Sequence, residues 1–505
     1  MRRIHGVALA ALLVPFVLAA QTRGVTHGTR PARLVIRNAT VVDGNGTPAR
    51  GPIDIVVEGN RIVQMVNIDP VAARGGNARR PTGDVQIDAT GKFVLPGLIN
   101  AHTHMQSNRS GQSLDGFDYY MKLQLANGIT AVREVGAENN KGAIELREKS
   151  ARGEIVAPRI FVYPQFASEE GRDAKTPAAV RAHVQRLKQL GVDGIKFGGI
   201  DRDLMEAAYD EARKLGLPTA HHIGVEETNA WDEVKFRGRS IEHWYGVPDA
   251  AIRDLRQNFP TDYNYLDETH RFRWAGRLWR EADPKILDSL LTALVRAEVT
   301  WVPTMDIYEA SRDLQRAQTQ PWFRDYLHPS LANYFKPDPA NHGSYFIGWS
   351  STDEVYWKEN YRIWMAALRD FERKGGTIGC GDDAGFIYQL YGFGLIREME
   401  LHAEAGFNPL KVVQHCTGNN AKILGKENEI GRVRVGFLAD LIVVDGNPLE
   451  DIKVLYAGGT SVIKNGVESR TLGTEWVIKD GIPYNGPQLL REVKEIVDKA
   501  KARAR

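Results

Sequence analysis

The sequence predicts an α/β protein built on a (β/α)8 TIM barrel, and three observations predict it. Residues 96–429 alternate short apolar runs with helical stretches, the pattern of a parallel sheet covered by helices. Eight strand–helix units can be counted there, the number that closes such a barrel. The flanks, 33–95 and 430–484, are different: β-branched runs broken by Asn, Asp and Gly. A chain of 505 residues, 43% hydrophobic and 25% charged, exceeds the roughly 250 residues of a barrel and is too apolar to be disordered.

The chain opens with Arg2 and Arg3, then an uncharged run from Gly6 to Ala20 that ends in Val17-Leu18-Ala19-Ala20. A basic start, a short apolar stretch and small residues before a cut predict a signal peptide over 1–20, hence export to the periplasm or beyond. The run is too short to span a bilayer, and no other stretch is long and apolar enough to try. Lys and Arg number 65 against 63 Asp and Glu. Both surplus charges lie in the export segment, so the mature chain is balanced and no basic surface argues for nucleic acid.

After the leader come Leu34-Val35-Ile36, Ala39-Thr40-Val41-Val42 and Ile53-Asp54-Ile55-Val56-Val57, separated by Asp43-Gly44-Asn45-Gly46 and similar turns. These read as antiparallel hairpins. The same texture returns in Ala439–Val444 and Trp476–Ile478, so 33–95 and 430–484 are expected to form one small β-domain from both ends of the chain. In the middle, strands are predicted at Phe93–Ile99, Ile129–Val135, Arg159–Tyr163, Gly194–Phe197, Pro218–His222, Ser240–His243, Val299–Thr304 and Thr377–Gly381, with helices such as Pro177–Leu190 and Asp203–Leu215. Long aromatic-rich connections after the sixth and seventh strands, carrying Trp274, Trp279, Trp322, Tyr345 and Trp349, read as pocket walls or lids, with oligomer contacts as the alternative. Leu490, Val493 and Val497 recur at helical spacing, so 485–505 is a C-terminal helix.

The chemistry gathers at strand ends. His102 and His104 are two apart on a strand and therefore face the same side, at the end of a barrel strand where active sites form. Taken alone, the pair reads equally as two satisfied loop histidines. Lys196 interrupts an apolar run and needs either a function or a buried carboxylate. His221 and His222 point to opposite sides, so one faces inward; His243 and Asp383 end two further strands. Imidazole and carboxylate ligands suit zinc and related divalent ions, and an open position makes such a site hydrolytic. Two cysteines are too few for a disulfide framework or a Cys-based zinc module. Cys380 reads as a small buried thiol, and a Cys380–Cys416 bond is not established by sequence.

Together these motifs resemble the amidohydrolase superfamily, most closely its imidazolonepropionase-like and metal-dependent prolidase branch. The resemblance rests on Pro96-Gly97-Leu98-Ile99-Asn100-Ala101-His102-Thr103-His104, on Gly128–Gly136, on Gly381-Asp382-Asp383-Ala384-Gly385 and on Thr417-Gly418-Asn419-Asn420-Ala421. It implies a distorted barrel over 96–429 and a β-sandwich from 33–95 and 430–484. It also implies two divalent ions, zinc by preference: one on His102, His104 and Asp383, the other on His222 and His243, with a carbamate on Lys196 bridging them. His222 is preferred to His221 by its distance from Pro218, and Asp383 to Asp382 by the Gly-x-Asp position. Asp383 would serve as general base and then acid. The implied reaction is hydrolysis of amide bonds in dipeptides or N-acyl amino acids, with cyclic amides, lactones and other esters as the alternative. A non-catalytic binding protein is disfavoured because all six ligands are present. Tyr245 and Arg133 are candidate substrate contacts, though a packing tyrosine and a structural ion pair are the competing readings. Gly224 departs from the family, which often has a polar residue there. The expected partner is a small-molecule substrate, with a homo-oligomer possible.

Overall fold

The computed structural model describes residues 24–504 except 76–78, 110, 138, 169–170, 172, 225–227, 256–260, 265–266 and 342. The expected signal peptide, 1–20, lies outside the described residues. In chain order, β1 (Arg33–Val41), β2 (Arg50–Glu58), β3 (Arg61–Asn67), β4 (Val85–Asp88) and β5 (Phe93–Pro96) precede the parallel strands. Those are β6 (Leu98–Thr103), β7 (Ile129–Glu134), β8 (Arg159–Val162), β9 (Ile195–Phe197), β10 (Thr219–His221), β11 (Ser240–Glu242) and β12 (Thr300–Val302). β13 (Leu441–Asp445), β14 (Gly473–Lys479) and β15 (Ile482–Asn485) follow.

The two ends of the chain meet in one mixed sheet, ordered β15-β14-β13-β5-β1-β2-β3 with β4 beside β1. β-branched residues drive it: Ile36, Ile53, Ile55, Val94, Val443 and Ile478 share one buried cluster, as alternation on a half-covered sheet requires. The strand expected over Phe93–Ile99 is in fact two. Leu95 pairs antiparallel with Ile442 in this sheet, whereas Leu98 pairs parallel with Ile129 in the next. Gly97 is the switch: a Cβ there would lie 2.1 Å from Thr130 Oγ1, so only glycine lets the chain cross at this point.

The parallel strands pair in chain order, β6–β7–β8 and β9–β10–β11–β12. A bridge between Gln165 and Lys196 links β8 to β9, and one between Trp301 and Ile378 links β12 to the eighth extended segment. That segment returns to the start: Ala101 N–H donates to Cys380 O at 2.9 Å, and Asp383 N–H to His102 O at 2.9 Å. The predicted helices form, Pro177–Leu190 to the residue and Asp203–Leu215 as Arg202–Lys214. Thr176 caps the first by accepting from Ala179 N–H, and Gly191 ends it. The C-terminal helix, Gly486–Arg503, buries Leu490, Val493 and Val497 and packs on Asp118–Ala126.

Two expectations need correction. The aromatic insertions are not all pocket wall: Trp279 is core, 6.2 Å from Trp244 and 6.3 Å from Trp301, and Trp322 stacks on Phe393. Large rings in a long connection bury as readily as they line a cleft. Cys380 is no free thiol but is disulfide-bonded to Cys416, across 36 residues of sequence. The eighth strand and the π-helical turn His415–Asn419 bring the two Cα atoms within 4.9 Å, a proximity that spacing along the chain does not reveal. Among the described residues, no helix is long and apolar enough to cross a membrane.

Candidate metal centre

The C-terminal ends of the parallel strands converge on one cluster. Asp383 Oδ1 lies 3.0 Å from His104 Nε2 and 3.6 Å from His102 Nε2. One ligand atom from each of these three side chains lies within 4.8 Å of the others, a spacing that can hold an ion. His243 stands beside them, its Nε2 3.8 Å from Asp383 Oδ2 and its ring 4.7 Å from that of His102. His222 completes the row, its ring 4.4 Å from His243. Four imidazoles and one carboxylate from four strand ends therefore face a common space.

Lys196 is the sixth predicted ligand side chain drawn into this core. It is buried, and its Nζ has no hydrogen-bond partner among the described residues. Burial lowers its pKa to about 8, against the opposing pull of Glu242 and Asp383. A substantial neutral amine fraction is what carbamate formation needs. Burial also pushes the imidazoles of His102, His222 and His243 well below their ordinary value, with Lys196 and neighbouring imidazoles adding to the effect. They are neutral, as metal ligation demands. Burial alone would raise Asp383, but the His102 and His104 imidazoles more than offset it and hold the carboxyl below its usual value.

Backbone geometry explains how consecutive residues reach the same centre. Along β11, Ser240 and Glu242 point inward by ordinary alternation, so His243 should point away. His243 instead adopts φ 63°, Asp383 φ 46° and Thr304 φ 47°. Left-handed backbone at a non-glycine is strained, and three such residues at strand ends around one cluster mark a functional site. At β10 simple alternation suffices. His221 turns outward, within 2.6 Å of Glu233 Oε1 and 3.0 Å of the Tyr209 hydroxyl, while His222 turns in. Gly224, the departure from the family pattern, has a steric reason: a Cβ there would lie 2.3 Å from Gly246 N.

A supporting layer, absent from the sequence reading, orients the ligands. Glu242 Oε2 lies 2.6 Å from His102 Nδ1, which leaves Nε2 for the centre. The Thr304 hydroxyl donates to Pro303 O at 2.8 Å and so accepts from His243 Nδ1 at 2.6 Å, again freeing Nε2. Arg133 belongs to this layer. It donates to Ala101 O, to Ser240 Oγ at 3.0 Å and to Glu242 Oε1 at 2.6 Å. Of its two readings the ion pair is therefore the one observed, and the substrate contact is withdrawn because the buried guanidinium is already committed. Tyr245 does sit at the centre, its ring stacked on His222 at 5.3 Å and edge-on to Tyr308 at 5.8 Å. Glu242 stands between Ser240 and His243 with only Ile241 apolar beside it, so the signal that singled out Lys196 does not extend to it.

Comparison with known proteins agrees with this geometry. The chain is 30% identical over 195 residues to an N-acyl-D-aspartate deacylase from Alcaligenes xylosoxydans xylosoxydans, covering 37% of this chain and 35% of that one. It is 28% identical over 236 residues to an allantoinase from Salmonella choleraesuis (strain SC-B67), covering 42% and 46%. The matches thus span about a third to a half of these curated relatives. A solved Xaa-Pro dipeptidase with bound methionine superposes with a TM-score of 0.61 at 21% identity, covering 90% of this chain and 100% of that one. Residues 93–254 and 365–468, more than half of the chain and including all six candidate ligands, match the amidohydrolase family, and the chain belongs to it.

Proposed function

We propose that this chain is a binuclear metal-dependent hydrolase of amide bonds that acts on dipeptides or N-acyl amino acids. Lys196 carries the reading. A buried amine with no hydrogen-bond partner among the described residues, close enough to the His102, His222 and His243 imidazoles to lower their pKa, has no structural use, but as a carbamate it would supply the anion that two cations require. His102, His104 and Asp383 would hold one ion and His222 and His243 the other, zinc by preference. Divalent ions held there would supply a Lewis acid for the scissile carbonyl and a water ionised near neutral pH. Asp383, kept as a carboxylate by its imidazole neighbours, takes a proton from the attacking water and returns it to the leaving nitrogen. Glu242 and Thr304 hold the rings of His102 and His243 in register, and Tyr245 borders the substrate.

In the same proposal, 96–429 is a distorted (β/α)8 barrel, supported by the bridges that join its strands in a circle. Residues 33–95 and 430–484 form a β-sandwich, and 485–505 a terminal helix. Residues 1–20 direct export, and assembly as a homo-oligomer is compatible with the family. The similarity to an allantoinase favours cyclic amides as the second reading.

Metal analysis and a screen of dipeptides and N-acyl amino acids test the proposal. Two ions per chain and a dependence on a free substrate carboxylate are expected; indifference to the carboxylate favours cyclic amides or esters, and an inert, metal-free protein refutes catalysis. Asp383→Asn should retain a bound ion yet lose about 10²–10⁴-fold in kcat. Unchanged turnover by that variant sinks its assigned role.

A further inference from the structure

A second set of buried titratable groups lies outside the metal centre. Glu398 and His402 are one turn apart on the helix Phe393–Glu404, with Glu398 Oε1 3.1 Å from His402 Nε2. His402 Nδ1 lies 2.9 Å from His415 Nδ1, and His415 Nε2 lies 3.0 Å from Glu372 Oε1. The first three side chains are fully buried, whereas that of Glu372 is 23% exposed. At the inner end, Glu398 Oε2 accepts from Asp306 N–H at 2.9 Å. Asp306 and Asp382 converge there: a Cβ on Gly394 would lie 2.9 Å from Asp306 Oδ2 and 3.4 Å from Asp382 Oδ2. Asp382 is the chain neighbour of Asp383. The disulfide joins the strand of Asp383 to the residue after His415.

We propose that Glu398, His402, His415 and Glu372 form a proton relay between the buried carboxylates behind Asp383 and solvent at Glu372. Its service to Asp383 rests on the hydrolase reading; its ability to conduct does not. The balance is simple. In one state the Glu398 carboxylic acid donates to His402 Nε2, His402 Nδ1–H to His415 Nδ1, and His415 Nε2–H to the Glu372 carboxylate. One hop along each bond leaves Glu398 ionised, both rings in the other tautomer and Glu372 protonated. Three bonds to hydrogen break and three form, and nothing is oxidised. Without ring rotation the chain carries one proton out and then one back. That suits a reaction that borrows a proton from water and returns it to a leaving group.

The groups facing the relay include Asp306, Tyr361, Lys411 and the ring of Phe407. Lys411 Nζ lies 3.5 Å from Glu372 Oε1, and the Phe407 ring 4.9 Å from that of His415. Neither Lys411 nor Phe407 interrupts the path.

The test is proton transfer along the two histidines and exchange at His415 Nε2, followed by NMR in the full protein labelled with ¹⁵N-histidine. A resonance coupled to Nδ1 of both His402 and His415 is expected, with the ring nitrogens of both averaged between the two tautomers, and the His415 Nε2 proton is expected to exchange with D2O although the ring is buried. Glu372→Gln keeps the acceptor but cannot take a proton, and should slow that exchange at least about tenfold, with Glu372→Asp restoring it. Equal exchange in wild type and Glu372→Gln, or no shared resonance in wild type, overturns the relay. If dipeptides are hydrolysed, Glu372→Gln should also lower kcat several-fold with KM unchanged and enlarge the solvent isotope effect. Slowed exchange with unaltered kcat leaves a conducting chain but overturns its service to Asp383. Failure of every amide substrate, by contrast, strikes the hydrolase reading and leaves the exchange result to judge the relay.

Discussion

Asp54 and Lys196 are both charged residues in the middle of apolar strands, and their surroundings differ completely. Asp54, on β2 of the outer sheet, accepts from Arg37 Nη1 at 2.7 Å, Asn38 N–H at 3.0 Å, and Arg80 Nε and Nη2 at 2.9 and 2.5 Å. Lys196, on β9, has no hydrogen bond among the described residues. A fully satisfied buried charge specifies a fold, because removing either partner strands the other. An unsatisfied one raises the energy of the fold and is retained for what it does. The difference separates the part of the molecule that holds shape from the part that holds chemistry.

The comparison breaks most visibly at Lys196. Lys196→Met should cost at least about 10³-fold in metal-dependent turnover while stabilising the metal-free protein by about 2 to 3 kcal/mol at pH 7, measured by urea unfolding. The sign follows from the lowered pKa. With a folded value of about 8 against an ordinary 10.5, the unfolded chain binds more protons between those limits. Wild-type stability therefore gains on the variant as pH rises from 8 to 10.5, and the gap is widest below 8. A destabilised metal-free variant would show that Lys196 has a structural partner after all.

Glu242→Gln tests the intermediate case, a satisfied charge that serves the site. It should weaken metal binding about 10–100-fold, read by competition with a chelating dye, because His102 loses its carboxylate and Arg133 its counter-ion. Normal affinity would demote the Arg133–Glu242 pair to packing.

Asp54→Asn should leave kcat and metal content unchanged and lower stability by about 2 to 3 kcal/mol, below the usual figure for a buried pair because both arginines are partly exposed. Burial alone would raise the Asp54 carboxyl, but its bonds to Arg80, Asn38 and Arg37 hold it below 3.8. Its contribution is therefore complete above about pH 4 and fades as pH falls through the lowered value. Thermal melts from pH 6 to 3 should bring the variant and wild type together.

The candidate cluster was legible in part because its signal is local, while the preference for His222 over His221 and for Asp383 over Asp382 came from the family resemblance. His102 and His104 are two apart, His222 follows an outward-facing His221, and a lone charge in an apolar strand betrays Lys196. The supporting layer was hidden because its partners are remote in sequence: Glu242 reaches His102 across 140 residues and Thr304 reaches His243 across 61. Arg133 shows both limits, since its burial was readable while its partner was not.

The outer sheet divides in the same way. Strand-forming runs at both ends announced a shared β-region, yet the change of sheet at Gly97 depends on Thr130, a contact invisible to propensity. By itself the sequence determined the strand–helix alternation, the inward residues of β6, β9 and β10, and the family, because periodicity and motif are properties of neighbours along the chain. Only the tertiary structure decided which nitrogen of His102 and of His243 faces the centre, why His243 joins Glu242 against the alternation, and that Cys380 meets Cys416. Those outcomes are set by contacts across the fold and by three left-handed residues whose strain the surrounding packing sustains.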